Sequence, residues 1–537
     1  MSDLAQVKQE GDITVHDEGL SKTDEAAIAV AEEHSLSIRD AILHHKRILW
    51  WSFFFGMSAV GWGFDAQVNG AMISVPAFRL KFGYIFEGSP TLAASWQAAF
   101  NSCSSVGQFF GGFLCSWLAD RLGRKPALLA GLVLVTGGIF GEVFANKNVE
   151  FLIGKLILGV GLGFYLTVGP LYCSEVSPVV LRGITTAGIN FAIVIGQLLS
   201  NAAIKGFGAR NDSWAYRGPF FIQLLFVGMY FLSLDIAGLI LSALLAVGLP
   251  FAPESPWYYV RKNRMEDARK ALQALHGPDV NIGPKLAILV KTVDEDMELT
   301  SSAKWIHCFQ GTNLVRTFIS TGVFACQHFT GIVFVLGFST YFFELAGLQD
   351  GDAFDLGVGV TSCGVIGNLI SWAVLNSFGR RKSFISGMVA LTVVLFLIGI
   401  LDVIPTSAAK WVQASLTVVY ALFYQMSIGA IAFAVLGETS SPSLRAKTIG
   451  LATATQSVFG TVVNVVVPYL VNPDKANLKG KVGFIFGGLS TIATIWSFFY
   501  VPELKGRTFD EIDHMFQNKV SPRNMGSYSF TNGGEQS

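Results

Sequence analysis

Apolar residues along this chain fall in long blocks separated by short polar ones. The run Ile48–Phe64, ILWWSFFFGMSAVGWGF, holds no charged residue. A helix needs about 20 such residues to cross a bilayer. Read this way, the blocks predict spans near 48–70, 93–118, 127–145, 150–172, 184–205, 218–251, 314–345, 356–376, 384–403, 411–437, 448–471 and 481–501. A polar block from Tyr258 to about Thr312 divides these twelve into six and six. The expected organisation is a disordered tail (1–45), a six-helix bundle (46–257), a helical linker (258–312), a second six-helix bundle (313–503) and a short tail (504–537).

One block is too long. The run 218–251 exceeds a bilayer even when tilted and carries Asp235, so 227–238 reads as surplus. A long tilted helix, a re-entrant piece and a stretch foreign to the fold all fit that excess.

Composition agrees with an all-α membrane protein. Of 537 residues, 51% are hydrophobic and 14% charged, against roughly 25% charged in soluble domains. Mean hydropathy is +0.50. Lys+Arg and Asp+Glu are both 38, which gives no basis for nucleic-acid binding. The six cysteines have neither metal nor disulfide spacing. No nucleophile, metal or cofactor motif appears, so an enzyme is not expected, and neither is a cofactor. No cleavable signal peptide is visible.

Short basic loops set orientation. DRLGRK (120–125), GRRK (379–382) and SLRAK (443–447) are basic, while the loop with Glu344, Asp350, Asp352 and Asp355 has no Lys or Arg. The positive-inside rule places the basic loops, the linker and both termini in the cytosol. Asn211 then lies outside, in the sequon Asn211-Asp212-Ser213, a candidate glycosylation site.

The two halves repeat each other. DRLGRK follows the second span and SFGRRK the eighth. SEVSPVVLRG (174–183) follows the fourth and GETSSPSLRA (437–446) the tenth. PESPWYYVRK (253–262) follows the sixth and PELKGRTFDE (502–511) the twelfth. Three paired motifs at matching places indicate two six-helix units in parallel repeat. Acids and arginines at helix ends suit a charge network that latches and releases the halves. Its candidates are Asp120, Arg121, Arg124, Glu175, Arg182 and Glu254, with Arg380, Arg381, Glu438, Arg445 and Glu503 in the second half. Topology-setting charge alone is the other reading.

These motifs resemble those of the sugar-porter branch of the major facilitator superfamily. DRLGRK resembles D-R-x-G-R-[RK], PESPWYYVRKNRMEDARKAL resembles P-E-S-P-R-[WY]-L…R…E-A…L, and PELKGRTFDEID resembles P-E-T-[KR]-G-x-[ST]-x-E-E-I. Within the branch, NFAIVIGQLLSNAAIKG, WAYRGPFFIQ and GFSTYFFELAGL are most similar to the fungal α-glucoside–proton symporters. The resemblance covers about 46–515. It implies the major facilitator fold, a midplane site between the halves, and proton-driven carriage of a sugar such as maltose.

An acid inside a span is costly, by about 2.5–3.5 kcal/mol at a helix centre on insertion scales. Asp65 ends the first apolar run, in G-F-D, which resembles the first-helix G-[YF]-D of proton-coupled sugar porters. The resemblance implies that it takes the transported proton. Its family partner is an arginine on the fourth helix; here GKLILGVGLG puts Lys155 in that place, which keeps the charge and loses the bidentate fork. A helix-end acid facing an aqueous vestibule is the alternative.

For the sugar, the resemblance implies Asn190 and Gln197 on the fifth span, Gln327 and His328 on the seventh, and Gln425 and Phe433 on the tenth. Each polar one can instead be interhelical glue. The sequence departs from the family at Val333, where an asparagine is usual, and at Ala430 and Ala432, where prolines are usual. The tenth span is therefore expected to be less kinked. In the linker, EDARKALQAL reads as an amphipathic helix with Glu266 and Lys270 at i,i+4, bracing the cytosolic face.

The function so implied is a secondary active transporter of a sugar with protons, monomeric, multi-pass, in the plasma membrane. Its partners are the sugar, protons and the lipid bilayer. Carriage of another small polar metabolite, in either direction, is a second reading. A non-transporting nutrient sensor is a third, disfavoured by the short stretch after Gln517.

Overall fold

The computed structural model describes residues 45–177, 179–231, 248–277, 280, 282–302, 304–345, 347–404, 406–441, 444–505, 507 and 509–528. The first half contains helices Lys46–Met72, Ala94–Leu122, Arg124–Phe144, Asn148–Val176, Val179–Phe207 and Trp214–Phe231. The second contains Gly311–Phe329 continuing to Ser339–Leu345, Asp350–Phe378, Arg380–Val403, Ser407–Met426 continuing to Ile428–Thr439, Arg445–Val471 and Val482–Tyr500. These are called the first to twelfth spans. Eight of the described helices are long and apolar enough on their own to cross a membrane. The expected surplus lies mostly outside the described residues, which stop at Phe231 and resume at Gly248.

Glycine sets the turns between the second and third spans and between the eighth and ninth. Gly123 has φ 107° and Gly379 φ 84°, the left-handed region that side chains with a Cβ disfavour. Glycine also sets helix spacing. A Cβ on Gly154 would sit 2.9 Å from the Glu142 backbone nitrogen, so the third and fourth spans meet backbone to backbone.

Two spans are broken. The seventh is interrupted at Thr330–Gly331, where Gly331 has φ 73°, and a π-turn follows at Val333–Gly337. The tenth breaks at Ser427 (φ −120°, ψ −89°), which corrects the expectation of a less kinked helix there. Proline is not required, because the breaks in the two helices satisfy each other. Tyr420 Oη donates to the freed Thr330 carbonyl at 2.7 Å. Ser427 Oγ donates to the Phe423 carbonyl at 2.5 Å. Irregular backbone at membrane depth is tolerated where protein re-satisfies it in this way.

The segment between the first and second spans holds a helix, Pro76–Phe82, and a hairpin pairing Tyr84–Phe86 with Ser89–Thr91. The linker folds into helices Pro256–Arg261, Met265–His276 and Gly283–Ser302. Its own core is Val260, Ala268, Leu272, Ile282, Leu289 and Val293. It adjoins the first span through the edge-on ring pair His45–His276 at 5.6 Å. The ion pair opening its amphipathic helix is Arg264–Asp267, whereas Glu266 and Lys270 are both exposed.

Candidate functional site

Asp65 is buried, 1% exposed. It lies within the helix Lys46–Met72, seven residues before its end, and packs inside the first half. Its Oδ1 accepts from Lys155 Nζ at 2.9 Å and from Gln223 Nε2 at 3.4 Å. Its Oδ2 accepts from Asn69 Nδ2 at 3.2 Å and Ser104 Oγ at 3.3 Å. The first, second, fourth and sixth spans thus converge on one carboxylate. Lys155 is equally buried, with Nζ also 3.1 Å from Glu142 Oε1 on the third span. The rings of Phe220 and Phe151 flank the ammonium at 5.1 and 5.8 Å. A small cavity lined by Asn69, Gln97 and Asn101 abuts Lys155.

The sugar candidates gather near the paired helix breaks, with exceptions. Gln327 is buried and its Nε2 lies 3.5 Å from the Ile428 carbonyl, just past the break in the tenth span. Gln425 is buried before that break, beside Gly429 and Gly364. His328 is buried and packs on Gly460 of the eleventh span. Asn190 and Gln197 are half-buried on the fifth span, and Asn190 Nδ2 has no partner among the described residues. Phe433 is 48% exposed and meets Phe324 edge-on at 5.2 Å. Its outward position separates it from Gln425.

The repeated motifs form the same assembly twice. Glu254 Oε1 and Oε2 accept from the backbone N–H groups of Arg124 and Lys125 at 2.9 and 3.0 Å. Glu503 does the same for Arg380 and Arg381 at 2.9 and 3.1 Å. Each acid thus caps the start of a span whose N–H groups would be orphaned. Arg124 then grips Glu175 through Nε at 2.9 Å, and Arg380 grips Glu438 through Nη2 at 2.6 Å. Arg381 donates to the Phe498 carbonyl at 2.5 Å. Burial pushes the Glu254 carboxyl up, against the pull of its backbone donors. Every one of these pairs lies within one half. Asp120 and Arg121 are exposed, Arg121 lying over Trp117. The side chains of Arg182 and Arg445 lie outside the described residues. Asn211 is exposed, in the loop where Arg210 pairs with Asp212.

The halves are joined at the opposite end. Gln97 Nε2 donates to Asn472 Oδ1 at 2.7 Å, and Tyr341 Oη donates to the same oxygen at 2.7 Å. Gln67 Nε2 donates to the Leu336 carbonyl at 3.0 Å. Arg79 pairs with Glu344, and Tyr84 Oη donates to Asp474 at 2.9 Å. Asn201 Nδ2 donates to the Gly357 carbonyl at 2.8 Å.

Sequence reasoning passed over Glu142, Gln223, Ser104 and Asn69 around Asp65. Glu142 was accessible by the criterion that singled out Asp65, an acid in an apolar run, here GGIFGEVF.

Two six-helix sets, joined at one end, the second carrying two facing helix breaks, define a membrane carrier of the major facilitator fold. The chain belongs to the Sugar (and other) transporter family, whose model matches residues 52–516. It is 29% identical over 517 residues to the general alpha-glucoside permease of Saccharomyces cerevisiae, covering 95% of this chain and 81% of the permease. To the alpha-glucosides permease MPH3 of the same yeast it is 30% identical, over 94% of this chain and 83% of that one. Among solved structures, the xylose transporter XylE from E. coli in a partially occluded inward open conformation matches with TM-score 0.68 and 21% identity. That match covers 86% of this chain and all of XylE. The proton:xylose symporter XylE bound to 6-bromo-6-deoxy-D-glucose matches with TM-score 0.67 and 21% identity, over 88% of this chain and 100% of XylE.

Proposed function

We propose that this protein imports an α-glucoside such as maltose together with protons, by alternating access. The observation that carries the reading is Asp65, a buried carboxylate held by a buried lysine inside the first half. A membrane span retains such a group when it carries charge through the cycle. Each proton moving down about 100 mV supplies about 2.3 kcal/mol. The yeast α-glucoside permeases among its relatives support the cargo class.

In this reading the joined end faces outside, the basic loops and both termini face the cytosol, and the monomer sits in the plasma membrane. The inner side is then open, and the sugar reaches Gln327, Gln425, His328, Asn190 and Gln197 from it. Gln327 and Gln425 bond its hydroxyls. The Arg124–Glu175 and Arg380–Glu438 clusters hold each half rigid here and latch the halves when the inner side closes.

The test is uptake in a transporter-deficient yeast with a panel of α-glucosides, hexoses and polyols, with external pH recorded. Alkalinisation on addition of maltose, with accumulation that collapses on adding a protonophore, is expected. Efflux of maltose from loaded cells without net uptake overturns the direction. Uptake of polyols alone overturns the cargo.

A further inference from the structure

The acid–base cluster holds one more carboxylate than a neutral pair needs. Asp65 and Lys155 alone would cancel. Glu142, on the third span, adds a second negative charge against the same ammonium, 3.1 Å away and 0% exposed. The charged groups acting on Glu142 are Lys155 and Asp65, and those acting on Lys155 are Asp65 and Glu142. Cys103, which also feels the lysine, is a thiol and adds no charge while protonated. With both acids ionised the cluster carries one uncompensated negative charge. Burying a net charge costs several kcal/mol even after relaxation. One proton removes it.

We propose that Glu142 is what makes this cluster a proton carrier: Asp65, Lys155 and Glu142 form one site that holds a single proton. The inference rests on the proton-symport reading. An Asp–Lys pair by itself is already neutral, so a proton loaded on it would leave the lysine's charge unbalanced. The third member creates a vacancy for one proton, filled from water on one side and emptied to water on the other. The proton belongs to the cluster as a coupled unit. In the conformation seen here it resides on Glu142. Asp65 accepts from four donors, Lys155, Gln223, Asn69 and Ser104, which compensate its negative charge. Glu142 faces only the lysine, and neither of its carboxyl oxygens meets a hydrogen-bond donor in good geometry among the described residues. The cavity beside Lys155 extends to Gln97, whose amide binds Asn472 across the halves. Parting of the halves there therefore also opens the approach to the cluster.

The experiment uses the purified full-length protein in liposomes. Infrared difference spectra between neutral and alkaline pH read the carbonyl stretch of a protonated carboxylic acid, with no sugar needed. The wild type is expected to show that band at neutral pH, and Glu142→Gln to lose it, since the remaining pair is neutral without a proton. Glu142→Asp, which keeps a carboxyl should the glutamine variant not fold, is expected to move the band. A band unchanged in both variants overturns the proposal, as does its absence from the wild type. In the same liposomes, Glu142→Gln loses maltose accumulation driven by a pH gradient. If the wild type shows no proton-driven uptake of any glucoside while the band behaves as expected, the symport reading fails and the three-member site stands. If the wild type couples and Glu142→Gln accumulates maltose equally well, the role of Glu142 fails and symport stands.

Discussion

Gln97 and Asn472 join the two halves of the protein through a 2.7 Å hydrogen bond between positions 375 residues apart in sequence. Asn472 is 0% exposed. Its oxygen also takes the Tyr341 hydroxyl, and its amide donates to the Leu92 carbonyl at 3.0 Å. One side chain therefore closes one end of the carrier against three elements.

Asn472→Ala removes that side chain, leaving Tyr341 Oη without its acceptor and Gln97 Nε2 with only the Leu92 carbonyl at 2.8 Å. Buried groups left unsatisfied cost about 1–3 kcal/mol, here charged to the closed state alone. The halves are expected to part at this end more often, by about 5- to 150-fold. A cysteine at Met72, 1% exposed beside the cavity next to Lys155, reports it in a Cys103→Ser background. Modification by a membrane-impermeant thiol reagent should accelerate in Asn472→Ala. An unchanged rate shows that the closure does not depend on Asn472.

The sequence made some of this legible and left the rest hidden, for physical reasons. Spans, duplication and Asp65 all follow from where charge sits in apolar runs. The helix ends match the apolar blocks within about six residues, the eighth span differing most at its start, Asp350 against 356, while the sixth is described as a helix only to Phe231. The break at Ser427 was not legible, because its cause is tertiary. The tenth span packs on another broken helix, and Tyr420 reaches across to Thr330. The partner break falls at Gly331, whose positive φ the sequence reading did not anticipate. The Gln97–Asn472 bond has no local signature, since neither residue carries a pattern naming its partner.

Asp65→Asn is expected to abolish accumulation of maltose while exchange between equal pools continues. The amide keeps the hydrogen bonds from Ser104 and Asn69 and removes the charge. The cluster is then neutral with Lys155 and Glu142 alone, so no proton is taken up in the cycle. Accumulation against a gradient in Asp65→Asn excludes Asp65 from coupling.

Lys155→Met removes the shared cation and leaves two buried carboxylates facing each other. Breaking a buried pair in this way costs about 3–5 kcal/mol. Thermal unfolding in detergent should fall by several degrees at pH 7 and recover partly at pH 5, because protonation removes the buried negative charge left without its cation. Lys155→Arg keeps the charge between Phe151 and Phe220 and should retain both fold and coupling. Equal melting of Lys155→Met and the wild type at pH 7 contradicts this account of the lysine.

His276 links the linker to pH. Burial, with Lys285 nearby and His45 against the ring, pushes its imidazole down to about 4 from an ordinary 6.5. Arg47 is the other cation close to this helix end, beside Gly277. The folded state therefore refuses a proton that the undocked linker accepts below pH 6.5. Stability of the docked linker is full above that value and falls as pH drops from 6.5 towards 4. The loss is at most about 1.4 kcal/mol for each unit. Amide exchange over Met265–His276 should accelerate between pH 7 and 5, after correction for intrinsic rates, and His276→Gln should flatten the dependence. A helix equally protected at both values rejects the mechanism.

Glu254 and Glu503 each hold two backbone N–H groups at the start of a span, one in each half. Removing either by alanine substitution leaves those donors unpaired, and loss of a helix cap costs about 0.5–2 kcal/mol. The two sites bond only within their own halves in this conformation. Their effects should therefore add within about 0.5 kcal/mol, as distant sites do. Melting of Glu254→Ala, Glu503→Ala and the double variant measures this directly. The same cycle read on transport rate has a different expected outcome. If the acid–arginine clusters latch the halves when the inner side closes, the two losses act on one interface, and the rate effects will not add. Additive effects on both stability and rate would restrict the clusters to bracing each half separately, and the latch would have to be sought elsewhere.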